Sequence, residues 1–285
     1  MSEPTVQKTD CGQAMADEAD ESRRETIVVV TGASGGIGAA ICAALSADGH
    51  VVVAQFASNR AQAERLARVV SVRGGTCVPV QADLTTHDGL VAVVDTVTKQ
   101  LASRSGARLA ALVNNAALMQ GPSLSAATFE TFDAFVHLNV RAPFFLIQAL
   151  STMMTAGASI VNISSASAHI ASGGDPIYAM TKSAVESLTR NLAIELGANG
   201  IRVNGVIPGY TDNGHPMFQD PAARQYMGEM SVLGDVASPS TVADAVTFLV
   251  SDAAARTTGS FIDVSAGMTL RPRRTGAAGV RSTRS

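Results

Sequence analysis

The 285-residue sequence predicts an α/β fold, a doubly wound sandwich whose central parallel sheet is covered by helices on both faces. Three observations predict it. Short β-branched runs, among them Ile27-Val-Val-Val30, Val51-Val-Val53 and Ile160-Val161 with Ile163, alternate with longer segments whose apolar residues recur at helical spacing. The first run turns through Thr31-Gly-Ala-Ser-Gly-Gly-Ile-Gly38 directly into a helical pattern carrying Ala39, Ile41 and Leu45. The stretch from Ser159 to Glu195 reads strand, polar loop, helix, with Ala184, Leu188 and Leu192 on one stripe.

Composition is that of an ordinary enzyme domain. Hydrophobic residues make up 46% and charged residues 16%, enough for a substantial core, and a single α/β unit over residues 25–270 accounts for most of the length. A formal net charge of −3 gives no electrostatic footprint for nucleic acid or an anionic membrane. Cys11, Cys42 and Cys77 are scattered, without metal-ligand spacing, and read as free thiols in a reducing compartment. Residues 1–24 are polar and acid-rich without the apolar core of a secretory signal, so a disordered extension and a cytoplasmic protein are expected. The last 15 residues hold five arginines and no acid, a basic tail read as a solvated end. The uncharged span from Ala142 to Gly174 is broken by Pro143, Gln148, Gly157, Asn162 and its serines, which excludes a membrane helix.

Taken in order, the first strand feeds a turn in which Gly32, Gly36 and Gly38 leave room beside Ser34 and Ile37. Backbone N–H groups at the start of the following helix then suit a pyrophosphate. A tight turn without a ligand is the alternative. The second strand, Val51–Gln55, ends without the acid that would bond ribose hydroxyls and repel a 2′-phosphate. Ser58, Asn59 and Arg60 follow it with hydroxyl, amide and guanidinium donors suited to that phosphate, although Arg60 also reads as a solvated residue opening the next helix. That helix runs from Ala61 to Val72, and a third strand, Cys77–Gln81, leads to Asp83 and Leu84. Asp83 reads equally as a cap for the helix beginning near Asp88, or as a turn residue.

A helix around Leu90–Leu101 precedes the run Ala110-Ala-Leu-Val-Asn-Asn-Ala-Ala117, which places Asn114 and Asn115 at a strand's carboxyl end, where open α/β sheets bind ligands. Thr128 to Thr155 reads as one long helical stretch with Asn139 among apolar neighbours. In the Ser159–Glu195 stretch, Tyr178 and Lys182 lie four apart on a helix, hence on one face, where an ammonium favours a phenolate. Seen alone, such a pair is usually a packed ring with a solvated amine. Residues 210–234 lack strand or buried-helix periodicity and hold His215, Pro216, Met217, Phe218, Met227 and Met230. They read as a mobile substrate lid with soft apolar lining, or as a surface helix packing its methionines on the core. A short helix, Val242–Val250, and a final strand, Ser260–Val264, complete the domain.

The glycine turn, Asn114-Asn-Ala-Ala117, Asn139, Ser165, Tyr178, Lys182 and Pro208-Gly209, in that order and spacing, resemble the short-chain dehydrogenase/reductase family over roughly residues 25 to 270. Within it the chain is similar to 3-oxoacyl-(acyl-carrier-protein) reductase-like ketoreductases. The resemblance implies a Rossmann-type three-layer fold with seven parallel strands. It also implies catalytic roles for Asn139, Ser165, Tyr178 and Lys182. Ser165, thirteen residues before Tyr178, would hydrogen-bond the substrate oxygen, Tyr178 would exchange the proton, Lys182 would lower the tyrosine pKa and bond the nicotinamide ribose, and Asn139 would bend its helix and link the lysine to solvent through water. Asp83 with Leu84 would meet the adenine, Asn115, Ala116 and Ala117 the cofactor ribose, and Pro208, Gly209 and Thr211 the carboxamide. Two departures stand out: Ala117 replaces a glycine, and Ser265-Ala266-Gly267 replaces Asp-Gly-Gly. The expected cofactor is NADPH/NADP rather than NAD, and the expected reaction is reduction of a ketone. Oxidation of an alcohol with NAD and a non-catalytic NADP sensor are the alternatives. A homodimer or homotetramer is expected, with the helix after Tyr178 as the shared surface.

Overall fold

In the computed structural model, which describes residues 25–171 and 174–270, the β-branched runs pair into one parallel sheet. The strands are β1 Thr26–Val30, β2 Val51–Phe56, β3 Thr76–Gln81, β4 Arg108–Asn114, β5 Met154–Ile163, β6 Arg202–Pro208 and β7 Phe261–Val264, in the order β3-β2-β1-β4-β5-β6-β7. Helices α1 Gly36–Ala47, α2 Arg60–Val72, α3 His87–Ala102, α4 Phe129–Val136, α5 Ala142–Ser151, α6 Pro176–Gly197, α7 Pro221–Glu229 and α8 Pro239–Val250 fill the connections. The expected extension with Cys11 and the basic tail lie outside the described residues.

Strand alternation divides the core. Val28 and Val30 pack with Ile41 and Leu45 of α1 and Val246 and Leu249 of α8. Ile27 and Val29 face the other way, onto Val93 and Val97 of α3 and Leu146 and Leu150 of α5. A strand buried on both faces must read as an unbroken apolar run, which is why β1 does. Each fully buried Leu or Ile contributes about 1.5–3 kcal/mol. Because the order reverses beside β1, the loops after β1 and β4 diverge and open a crevice at the carboxyl edge. Among the described residues no helix is long and apolar enough to cross a membrane.

One expectation is overturned, and two readings that carried alternatives are met in one of them. The stretch from Thr128 to Thr155 is not one α-helix: α4 widens into a π-helical turn, His137–Arg141, then continues as α5 and stops at Ser151, and β5 already begins at Met154. Apolar periodicity does not mark the π turn; Asn139, the residue the family resemblance has bending the helix, is its one buried member. Asp83 does not cap α3. Thr86 does, accepting from the Gly89 N–H at 3.0 Å, while Asp83 Oδ1 accepts from the Thr85 N–H at 2.9 Å and shapes the turn. Residues 210–234 do contain a helix, α7, capped by Asp220; Met227 packs with Phe218 and Val236 in a small core of its own. Nine residues with two inward positions are too few to show a period.

Candidate active site

Parallel strands deliver all their carboxyl ends to one edge, so the six segments singled out in the sequence meet there. The turn after β1 is built by hydrogen bonds from three strands. Gly32, at φ +68°, donates its N–H to Gln55 Oε1 at 2.9 Å, and Gln55 Nε2 donates to the Ala82 carbonyl at 2.7 Å. Thr31 Oγ1 accepts from the backbone N–H groups of Asn115 at 2.9 Å and Ala116 at 3.0 Å, and Asn115 Nδ2 donates to the Thr31 carbonyl at 2.9 Å. Gln55 and Thr31 carried no signal in the sequence beyond being polar at the end of apolar strands. Their burial, 2% and 1% exposed, makes each bond costly to lose.

The glycines are required by close approach of protein atoms. A Cβ on Gly38 would lie 2.2 Å from the Gly32 carbonyl oxygen, and one on Gly36 would lie 2.6 Å from the Asn213 oxygen. The turn therefore packs against the loop after β6 while Ser34 and Gly35 stay toward solvent. Helix α1 starts at Gly35 without a side-chain cap, whereas α2 and α3 are capped by Asn59 and Thr86. The first-turn N–H groups of Gly36, Ile37 and Gly38 thus lack a side-chain acceptor, which fits an anionic group.

Beyond β2, Ser58, Asn59 and Arg60 are exposed together. Asn59 Oδ1 accepts from the Gln62 N–H at 3.1 Å, and Arg60 donates to Gln81 Oε1 at 2.7 Å and lies 4.0 Å from Glu64. Arg60 opens α2, as the solvated alternative has it, with its exposed guanidinium between Gln81 and Glu64. Asp83 and Leu84 follow β3, Leu84 buried beneath. Ala117 does not take the left-handed backbone that would demand glycine. Ala266 does, at φ +57°, and its carbonyl accepts from the Val232 N–H at 2.9 Å and the Leu233 N–H at 3.2 Å, so this departure holds the end of the 210–234 segment. At the end of β6 Pro208 pairs with Val264, a Cβ on Gly209 would lie 2.8 Å from the Ser265 oxygen, and Thr211 Oγ1 donates to the Gly209 carbonyl at 3.2 Å.

Helix α6 carries Tyr178 and Lys182. Asp175 caps it by accepting from the Tyr178 N–H at 3.3 Å, placing the tyrosine in the first turn. Lys182 Nζ lies 5.6 Å from the centroid of the Tyr178 ring and donates to the Ile163 carbonyl at 2.7 Å. Burial lowers the Lys182 pKa from 10.5 to about 8. Burial raises the Tyr178 pKa, the Ser165 hydroxyl works against that rise, and Asp175 adds to it. The Ile163 carbonyl engages the ammonium. Ser165 Oγ donates to Ser167 Oγ at 3.2 Å. Asn139 is buried in the π turn; its Oδ1 accepts from the Leu118 N–H at 2.8 Å, and Nδ2 donates to Thr181 Oγ1 at 3.0 Å, one residue before Lys182. Its side chain reaches the helix of the lysine but does not touch the lysine itself.

A cleft of about 860 Å³ opens beside α7, lined by Pro221, Arg224, Gln225 and Asp235 among others; none of Ser165, Tyr178 or Lys182 borders it. Among the described residues no cluster of side chains has metal-binding geometry.

Several known proteins are similar to this chain over most of its length. The family model described as Enoyl-(Acyl carrier protein) reductase matches residues 32–269. An uncharacterized oxidoreductase of Methylorubrum extorquens is 34% identical over 245 residues, covering 85% of this chain and 97% of the relative. A 3-oxoacyl-(acyl-carrier-protein) reductase of Synechocystis sp. is 30% identical over 249 residues, covering 86% and 97%. The crystal structure of the angucycline C-6 ketoreductase LanV with bound NADP is similar with a TM-score of 0.82 at 36% identity, covering 87% of this chain and 99% of that one.

Proposed function

The chain belongs to the short-chain dehydrogenase/reductase family of oxidoreductases, and on that premise we propose that it reduces a ketone to a secondary alcohol with NADPH. The observation that carries the proposal is the meeting of the end of β5 with α6: Lys182 Nζ, bonded to the Ile163 carbonyl at 2.7 Å two residues before Ser165, lies 5.6 Å from the centroid of the Tyr178 ring.

The cofactor, when bound, supplies the hydride that reaches the carbonyl carbon. Everything else falls to side chains. Ser165 donates a hydrogen bond to the carbonyl oxygen, stabilising the negative charge that grows there. Tyr178 gives its phenolic proton to that oxygen as the C–H bond forms. Burial keeps the proton on Tyr178 at neutral pH, which suits reduction; oxidation would start from the phenolate. Lys182 keeps a positive charge beside the ring, bonds the nicotinamide ribose, and is recharged with protons through a water held near Asn139. The uncapped α1 terminus at Gly36, Ile37 and Gly38 receives the pyrophosphate, with Gly32 and Ser34 in the same turn. Asp83 and Leu84 meet the adenine, Asn115, Ala116 and Ala117 the ribose, and Pro208, Gly209 and Thr211 the carboxamide. NADPH is preferred to NADH because Gln55 is spent on the turn and offers no carboxylate, while Ser58, Asn59 and Arg60 stand exposed beside it. LanV, similar over nearly all of this fold, has NADP bound.

Residues 210–234 act as the lid over the substrate, with α7 and the Gln120 amide, 3.4 Å from Met217 Sδ, at its edge. Leu118, Met119 and Met217 give the entrance a soft apolar lining that suits a bulky ketone, such as a polycyclic or 3-oxoacyl one. A homodimer or homotetramer forms through the α5 and α6 surfaces, where Phe144, Phe145, Met180 and Ile194 are exposed. The test is a panel of polycyclic ketones, 3-oxoacyl thioesters and enoyl thioesters, each followed by NADPH absorbance. Turnover of a ketone supports the proposal; turnover of enoyl thioesters alone, or of no substrate in the panel, refutes it.

A further inference from the structure

One buried carboxylate in α6 has no part in the chemistry above. Glu186 is 4% exposed and lies four residues beyond Lys182 and eight beyond Tyr178, on the same face of the helix. Its Oε1 accepts two hydrogen bonds, from Ser164 Oγ at 2.7 Å and from His169 Nε2 at 2.8 Å. Arg190 lies 3.8 Å from the other oxygen and stacks on Phe261 at 5.4 Å. A carboxylate removed from water is expensive unless its oxygens are bonded, and an apolar residue here would avoid that cost.

The two donors bracket the reactive serine. Ser164 ends the strand and is anchored through its N–H to the Val206 carbonyl at 2.8 Å; His169 closes the short 3₁₀ turn Ala166–Ala168 that follows. Ser165 stands between them in extended backbone, at φ −164° and ψ 151°. In extended chain, neighbouring side chains point to opposite sides, so fixing the roll of Ser164 fixes the direction of Ser165. From these contacts we infer that Glu186 is a positioning residue for Ser165: a single carboxylate oxygen ties both ends of the turn presenting the serine to the helix presenting Tyr178 and Lys182. The inference rests on the ketone-reduction reading for its kinetic consequence, but the tie itself is a matter of the chain alone. Removing it lets the serine turn drift relative to the phenol while the cofactor crevice, on the far side of β4, keeps its shape.

The experiment compares Glu186→Gln, Glu186→Leu and Ser164→Ala with the parent protein. Amide hydrogen exchange over residues 164–171, read without substrate, should quicken in Glu186→Leu and stay near the parent in Glu186→Gln, whose amide oxygen still accepts both bonds. Displacing a reacting group by about an ångström costs about 100-fold in rate, so Glu186→Leu should lose about that much in kcat. The Gln variant should stay within about threefold, because it keeps both acceptor contacts. The NADPH Kd should move less than about twofold in either, as expected when only a transition-state contact is lost. Should Glu186→Leu fail to fold, Ser164→Ala decides, because it removes one tie without opening a large cavity; an expected loss of about tenfold in kcat corresponds to one hydrogen bond to a charged group. Parent-like exchange and kcat in Glu186→Leu, or in Ser164→Ala when that variant decides, overturn the inference, as does a Gln variant as impaired as the Leu one. An exchange change in a protein that reduces no ketone sinks the functional reading and leaves the tie standing.

Discussion

Replacing Lys182 with methionine tests whether a cation is buried beside Tyr178. The lysine is 4% exposed and its amine donates to the Ile163 carbonyl. Burial holds its pKa at about 8 in the folded chain against the ordinary 10.5. Between those values the unfolded chain carries a proton on this amine that the folded chain has lost, so stability rises with pH across the window. The folded state has the full benefit above 10.5 and loses it as pH falls through about 8. At about 1.4 kcal/mol for each unit of pKa, the gap comes to about 3 kcal/mol. Methionine has a similar stem and no charge. The stability of Lys182→Met relative to the parent should therefore be about 3 kcal/mol more favourable near pH 7 than near pH 10.5. The lost bond to Ile163 adds a constant offset that does not alter this difference. Urea unfolding of both proteins at a series of pH values measures it, other titrating groups cancelling in the subtraction. A difference that stays flat from pH 7 to pH 10.5 would refute the buried-cation account and, with it, the placement of positive charge at the phenol ring.

Four further outcomes are expected. Tyr178→Phe keeps the ring and loses the proton donor, so kcat should fall roughly 100- to 10,000-fold with NADPH binding retained, as judged by cofactor fluorescence. Arg60→Ala removes an exposed guanidinium whose charge-assisted bonds are worth about 1.5–3 kcal/mol; NADPH should bind at least about tenfold more weakly, with NADH binding and melting temperature unchanged, and equal losses for both cofactors would remove Arg60 from 2′-phosphate recognition. In Gly38→Ala the new methyl group would stand 2.2 Å from the Gly32 carbonyl oxygen, so the turn must open at a cost of about 1–3 kcal/mol and cofactor affinity should drop, both readable in one titrated thermal melt. Ala266→Gly relieves a left-handed backbone at φ +57° and should raise stability by about 1 kcal/mol in denaturant unfolding.

Much of the site was legible because its chemistry depends on residue types at fixed spacing. The glycine turn, Ser165, Tyr178 and Lys182 all occupy the carboxyl edge that the alternation of strands and helices implies. The 210–234 segment was less legible: its helix has one short inward stripe, and its anchors are backbone bonds to Ala266 and an Asp212–Arg224 pair at 3.1 Å. Gln55, Thr181 and Glu186 were invisible for a different reason. A polar residue in an apolar run carries no label for its partner, and each of these meets its partner across 23 or more residues of chain or, for Glu186, across the step from helix to strand.

Local pattern alone therefore determined the parallel sheet and the carboxyl edge to which the glycine turn, Ser165, Tyr178 and Lys182 are brought, because strand and helix periods and the spacing of four along a helix are properties of neighbours in the chain. Tertiary packing decided the state of those groups. Whether Tyr178 holds its proton, where the Lys182 ammonium is engaged and what orients Ser165 depend on burial and on contacts between distant segments, which set the solvation and the field at each atom.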